Sequence, residues 1–254
     1  MGIDLAQFRL LIDLSRRFQP AGRSLMLGRQ TFRVRSHNRP RANQMLKAAG
    51  YSERWRDLLQ EDGFSETMFR TLGFGAVETM DMSAYEGAAH VHDLNRPVSE
   101  DLAGQFDFIY DGGTLEHVFN VPVALTSIFR MLRPGGRFVS VNGLNGWPGH
   151  GFYQFGPELA YSFWRRGCGC TVHRCLGVAR DEDLDDIAFD DVADFGTRLR
   201  LRGKLPATRV YLYYEVEKTA DSTFDGSVLQ SDYQVRWAGD AKADAEETPE
   251  RPEQ

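Results

Sequence analysis

One run, FDFIYDGGTLEHVFNVPVALTSIFRMLRPGGRFVSVN, constrains this chain more than any other. Residues 106–110 (FDFIY) are aromatic and β-branched, bounded by Gly104 and by Asp111-Gly112-Gly113, as a short buried strand would be. Val121, Ala124, Leu125, Ile128, Phe129 and Leu132 then recur at helical spacing. Asn120 is placed to cap that helix, Pro122 lies in its first turn and Pro134-Gly135-Gly136 stops it. Residues 137–142 (RFVSVN) read as the next strand. Short apolar strands alternating with helices predict a parallel sheet with helices on both faces.

The rest of the chain extends the same pattern. Leu10, Leu11, Leu14 and Phe18 mark a first amphipathic helix, broken at Pro20-Ala21-Gly22. Residues 24–28 (SLMLG) read as a buried strand ending at a glycine. Helical pieces follow near 42–49, 53–60 and 66–72, then strands at 76–80 and 88–92. Pro157 opens a helix carrying Leu159, Phe163 and Trp164, and strands are expected at 172–179 and 209–217. The last pair suggests an antiparallel finish. The expected fold is α/β, a doubly wound Rossmann-like and mostly parallel sheet with a late antiparallel strand. With no internal repeat and no second core, residues 1–237 are expected to form one domain. Residues 238–254, polar and without bulky apolar side chains, are expected to be a disordered acidic tail.

Composition excludes some functions. With 42% hydrophobic and 26% charged residues the chain is ordinary for a soluble protein, and no run of about 18 apolar residues suggests a membrane span. The N-terminal segment lacks the apolar core of a signal peptide, and Ala6 stands where a myristoylation motif wants Ser or Thr, so a cytoplasmic protein is expected. A net charge of −6 argues against general nucleic-acid binding. Yet Arg23, Arg29, Arg33, Arg35, Arg39 and Arg41 fall in one stretch without an acid. That stretch is either a solvated surface or the flank of a site for an anionic ligand.

In an open parallel sheet, ligands bind beyond the carboxyl ends of the strands, near the point where strand order reverses. The residues expected there are Gly28-Arg29-Gln30, Asp81-Met82-Ser83, Asp93-Leu94-Asn95, Asp111-Gly112-Gly113 and Asn142-Gly143. Acids and glycines at these ends suit a nucleoside, whose ribose hydroxyls a carboxylate accepts and whose approach bare backbone allows. They equally suit ordinary turns and caps.

These residues resemble a known family. Residues 76–136 look like the centre of class I S-adenosylmethionine-dependent methyltransferases, especially those acting on small metabolites and lipid quinones. Residues 77–83 (VETMDMS) resemble the family's second strand, whose terminal acid binds the cofactor ribose. Asp93 falls where the family places an acid or polar group beside the adenine. Residues 106–118 (FDFIYDGGTLEHV) and 132–136 (LRPGG) resemble its fourth strand and the approach to its fifth. Residues 111–120 (DGGTLEHVFN) and 149–155 (GHGFYQF) also resemble a bacterial subgroup often associated with polysaccharide biosynthesis.

The resemblance implies S-adenosylmethionine as cofactor, held by Gly28, Arg29, Gln30, Asp81, Met82, Asp93, Leu94, Asp111 and Gly112. It departs from the family at the first loop. The usual acid-x-Gly-x-Gly-x-Gly is replaced by Met26-Leu27-Gly28-Arg29-Gln30-Thr31-Phe32, so Gln30 and Phe32 narrow the approach. Either Arg29 or Gln30 rescues binding by holding the cofactor carboxylate with its side chain, or the pocket has lost the cofactor.

Methyl transfer to a hydroxyl calls for a general base, and His117, His150 and Asp111 are the candidates. Glu116 and His117 are equally readable as groups that orient the turn. Residues 145–155 (NGWPGHGFYQF), with four aromatics and three glycines, form either a substrate loop or a packed surface loop. Cys168, Cys170, His173 and Cys175 would need a turn to bring their tight spacing together around zinc; reduced thiols are expected instead, with no metal. The expected function is methylation, at oxygen, of a small polar acceptor that is anionic or sugar-like. The alternative is a non-catalytic binding module on the same fold. The oligomeric state is not readable.

Overall fold

The computed structural model describes residues 2–181, 184–191, 199–230, 232, 233 and 237. The tail expected at 238–254 lies outside the described residues. Among the described residues there are ten strands: β1 (Gly2–Ile3), β2 (Ser24–Leu27), β3 (Thr31–Phe32), β4 (Val77–Asp81), β5 (His90–Val91), β6 (Phe106–Asp111), β7 (Leu132–Asn145), β8 (Thr171–Ala179), β9 (Ile187–Ala188) and β10 (Val210–Glu217). The α-helices are α1 (Leu5–Ser15), α2 (Arg39–Ala48), α3 (Glu66–Thr71) and α4 (Val121–Met131).

Eight strands form one sheet in the order β5-β4-β2-β6-β7-β10-β8-β9. From β5 to β7 every pairing is parallel. Strand β10 enters antiparallel between β7 and β8, and β9 closes the edge antiparallel to β8. The mostly parallel sheet with a late antiparallel strand is thus as the sequence implies. Strand order reverses between β2 and β6, which sets the ligand-binding crevice at the ends of those strands.

Period-two alternation divides the core between the two faces. Leu25, Leu27, Ile109, Phe138, Leu212 and Tyr214 pack on the face covered by α4. Met26, Phe108, Tyr110, Val139, Tyr211 and Tyr213 pack on the other, with α1, α2 and α3. Helix α4 buries the stripe Val121, Ala124, Leu125, Ile128 and Phe129 that its spacing announces. It ends at Met131, and Leu132 already pairs with Phe106.

Three local features differ from the sequence reading. Residues Leu159–Gly167 are wound as a π-helix rather than an α-helix, with Cys168 N–H reaching back to Phe163 at 2.9 Å. Asn120 makes no side-chain cap to α4. Strands β1 and β3 form an unexpected parallel pair that carries Phe32 into the core against Phe8, at 5.0 Å between ring centres.

Candidate active site

Where strand order reverses, the chain is tightly drawn together. Gly28 follows β2 with φ of +65°, and a Cβ there would lie 2.6 Å from Thr114 Oγ1, so only glycine fits. Thr114 donates its hydroxyl to the Leu27 carbonyl at 2.7 Å. Gln30 folds back into the same angle, its Nε2 donating to the Leu27 carbonyl at 3.2 Å. The side chain is buried, and its Oε1 has no hydrogen-bond partner among the described residues. Because a carbonyl cannot donate, Nε2 must face Leu27, and the orphaned atom is an acceptor. Gln30 therefore suits an ammonium group rather than the carboxylate the sequence reading offered it. Arg29 points away. Its Nε donates to Glu66, its Nη2 to Asp62 at 2.7 Å and its Nη1 to the Glu86 carbonyl at 2.7 Å, so all three nitrogens are already engaged. Phe32, in the core, does not enter the crevice.

Asp81 ends β4, half-buried, and its carboxylate has no hydrogen-bond or ion-pair partner among the described residues. Next to it Met82 is 66% exposed, which leaves the space beside Asp81 open. Asp93 spends one oxygen on its own turn, accepting from the Asn95 backbone N–H at 2.9 Å and from its Nδ2 at 2.8 Å. Those bonds hold its carboxyl below the usual range. Leu94 is buried in the core.

Asp111 closes β6 with no exposed surface. Its Oδ1 accepts from the backbone N–H of Thr114 (2.8 Å) and of Leu115 (3.3 Å). Its Oδ2 accepts from Ser140 Oγ (2.9 Å) and Asn142 Nδ2 (2.6 Å). Burial pushes its pKa up against the pull of those bonds. A carboxylate so enclosed cannot reach a substrate proton, and the catalytic expectation for it gives way to one of holding the turn.

That turn, Leu115–His117, presents the reactive groups. Glu116 is buried, its Oε2 accepting from Gly143 N–H at 2.8 Å. Its Oε1 faces His150 Nε2 at 3.1 Å and His117 Nε2 at 3.8 Å. Burial, with Asp111 adding repulsion, pushes Glu116 up to about 7. Burial lowers the pKa of both histidines, with His150 adding to the effect at His117 and Arg209 and Arg180 to that at His150. The two imidazoles meet edge-on at 5.1 Å, and each side chain remains about two-fifths exposed (41% and 39%).

The loop carrying His150 is held against the turn. Phe152 N–H donates to the Glu116 carbonyl at 2.7 Å, and a Cβ on Gly151 (φ +77°) would lie 2.6 Å from that same carbonyl oxygen. Trp147 anchors the loop, its Nε1 donating to the Val210 carbonyl at 3.0 Å while its ring lies 5.2 Å from that of His150. Phe119 and Phe152 stand exposed beside each other, ring centres 5.7 Å apart. The sequence offered His117 and His150 separately; only the folded loop joins them to Glu116.

A cavity of about 860 Å³ opens nearby, lined by Arg9, Arg33, Arg35, His37, Arg41 and Arg180, with Asp4 and Asp181 as its acids. Arg9 is paired with Asp186 and Arg180 with Asp4 and Asp181. The side chains of Arg33 and Arg35 have no partner among the described residues. Arg180 lies over the Trp147 ring at 5.4 Å, and that ring lies 5.2 Å from His150, so Trp147 links the cavity's edge to His150. The three cysteines are buried and free, and His173 bonds Glu217 at 2.8 Å instead of joining them.

Residues 72–140, from the end of α3 into β7, match the family described as methyltransferase domain. No curated protein matches the sequence. Among solved structures, a complex containing the Haloferax volcanii Trm112 methyltransferase activator is similar at TM-score 0.45 and 14% identity, covering 82% of this chain and 88% of that one. Geranyl diphosphate methyltransferase in complex with SAM is similar at TM-score 0.42 and 13% identity, covering 84% and 85%. The [4+2]-cyclase SpnF is similar at 0.41 and 14%, covering 83% and 81%. The matched segment holds Asp81, Asp93, Asp111, Glu116 and His117, and so most of the crevice.

Proposed function

We propose that this protein is an S-adenosylmethionine-dependent methyltransferase acting on a small, hydroxylated, anionic acceptor such as a sugar derivative. The observation that carries the reading is the unpartnered carboxylate of Asp81, at a strand end beside the reversal of strand order, within the segment that matches a methyltransferase domain. The cofactor, when bound, supplies an electrophilic methyl group on a sulfonium.

The residues present fit that group. Asp81 accepts the ribose hydroxyls, and Met82 and Asp93 flank the base. Gly28 and Gly112 admit the Gln30 side chain between them rather than the ligand, and the orphaned Oε1 of Gln30 accepts the ammonium of the methionine part. Asp111 positions the turn from behind. His117 and His150 line the place where the acceptor hydroxyl loses its proton, and the free guanidinium groups of Arg33 and Arg35 hold the acceptor's anionic part. The main contribution of such a site is alignment of the acceptor oxygen with the methyl group.

Gln30 also favours a second reading, a domain that keeps the fold and binds no cofactor, because its side chain occupies the crevice between Gly28 and Gly112. Calorimetric titration with S-adenosylmethionine and its demethylated product separates the two. Micromolar binding of both, lost in Asp81→Ala with the melting temperature preserved, supports the enzyme. Absence of binding at saturating ligand supports the second reading.

A further inference from the structure

Two imidazoles and one carboxylate converge in the cluster Glu116, His117 and His150, whose ligating atoms all lie within 4.8 Å of one another. We propose that these three side chains bind a single divalent transition-metal cation, Zn²⁺ fitting best, with at least one coordination position open towards the acceptor. The acceptor part of this assignment rests on the methyltransferase reading; the metal part does not.

The donor set is that of catalytic zinc sites, which use three protein ligands of mixed imidazole and carboxylate type and leave the fourth position open. The spacing agrees. Metal–ligand bonds of about 2.0–2.1 Å at tetrahedral angles put ligand atoms about 3.4 Å apart. Glu116 Oε1 stands 3.1 Å from His150 Nε2 and 3.8 Å from His117 Nε2, so these two sides already lie near that spacing, and the third, between the imidazoles, is within 4.8 Å.

The surroundings also suit a metal centre. Gly143 N–H fixes Oε2 of Glu116 and leaves Oε1 to the imidazoles, which is the outer support that orients a ligating carboxylate. Trp147 packs on His150, and Gly151 lets the loop lie against the Glu116 carbonyl without a side chain intervening. Arg180 and Arg209, stacked on Trp147 at 5.4 and 4.9 Å, add positive charge, which the carboxylates of Glu116 and Asp111 offset. The exposed edges of both imidazoles leave the site open to ligand on one side. A cation there would coordinate the acceptor hydroxyl and make it a stronger acid.

The test uses the full chain stripped with a chelator and titrated with Co²⁺, whose visible absorption reports imidazole coordination. Saturable binding at one equivalent, reversed by Zn²⁺, is expected. Glu116→Gln and His150→Ala each weaken it by at least about tenfold, as loss of a ligand should exceed loss of an outer partner. Glu116→Gln keeps an acceptor for Gly143 N–H, so it tests the ligand without removing the support. No saturable Co²⁺ binding, or equal affinity in wild type and both variants, overturns the proposal. Titration of the demethylated cofactor in parallel separates the two claims: Co²⁺ binding without nucleoside binding removes the methyltransferase reading and leaves the metal site.

Discussion

Gln30 donates its amide to the Leu27 carbonyl at 3.2 Å and thereby leaves Oε1 buried with no donor among the described residues. An unsatisfied buried acceptor costs about 1–3 kcal/mol, a cost that a bound ammonium would remove. Gln30→Leu keeps the volume and removes both the bond to Leu27 and the orphaned acceptor. Folding stability should therefore change little in the absence of ligand, whereas affinity for the demethylated cofactor should fall by about tenfold, one charged hydrogen bond's worth. Chemical denaturation and calorimetry on the same variant measure the two effects. Unchanged affinity would mean that the ligand does not reach this acceptor.

Asp111 makes a prediction of the opposite kind. Its four donors bind the ends of β6 and β7 to the following turn, so Asp111→Asn should act first on stability. An amide turned to accept from Thr114 and Leu115 aims its own N–H groups at Asn142 Nδ2, and a lost buried bond of this type costs about 1–3 kcal/mol. Urea unfolding should show that loss at neutral pH. A variant with native stability and abolished turnover would instead return Asp111 to the chemistry.

How much of this was legible beforehand follows from what is local in sequence. Strands β2, β4, β6, β8 and β10 and helix α4 were readable because their apolar spacing matches the face each buries. The pair β1–β3 was not, since two residues on each strand give no periodicity and the pairing spans the whole first helix. The π-helix Leu159–Gly167 has apolar spacing that an α-helix would also satisfy. At the site, Asp81 and Asp111 were named from their strand ends. What each does depended on its neighbours: Asp81 is left free, while Asp111 is enclosed by Ser140 and Asn142 from the next strand. Arg29 looked available because Asp62 and Glu66, its partners, lie more than thirty residues away. Glu116 became part of a cluster only through the loop that returns His150 to it.

Glu78 carries the acid-side prediction. It lies on β4 between Arg23 and His90, taking bonds from Arg23 at 2.6 and 2.7 Å and lying 2.7 Å from His90 Nε2. The Arg23 bonds chiefly, then His90, lower its pKa from 4.5 to about 2. A carboxyl more acidic in the folded chain than in the unfolded one adds stability above the unfolded value, and that addition is lost as pH falls from about 4.5 through about 2. The pair is partly exposed and screened, so the effect at neutral pH should stay near or below about 1 kcal/mol. Glu78→Gln should be less stable than wild type at pH 7, with the gap shrinking steadily as the pH is lowered below 4.5. Denaturant midpoints of both proteins across that range provide the measurement. A gap independent of pH would assign the loss to packing at Glu78 rather than to its charge.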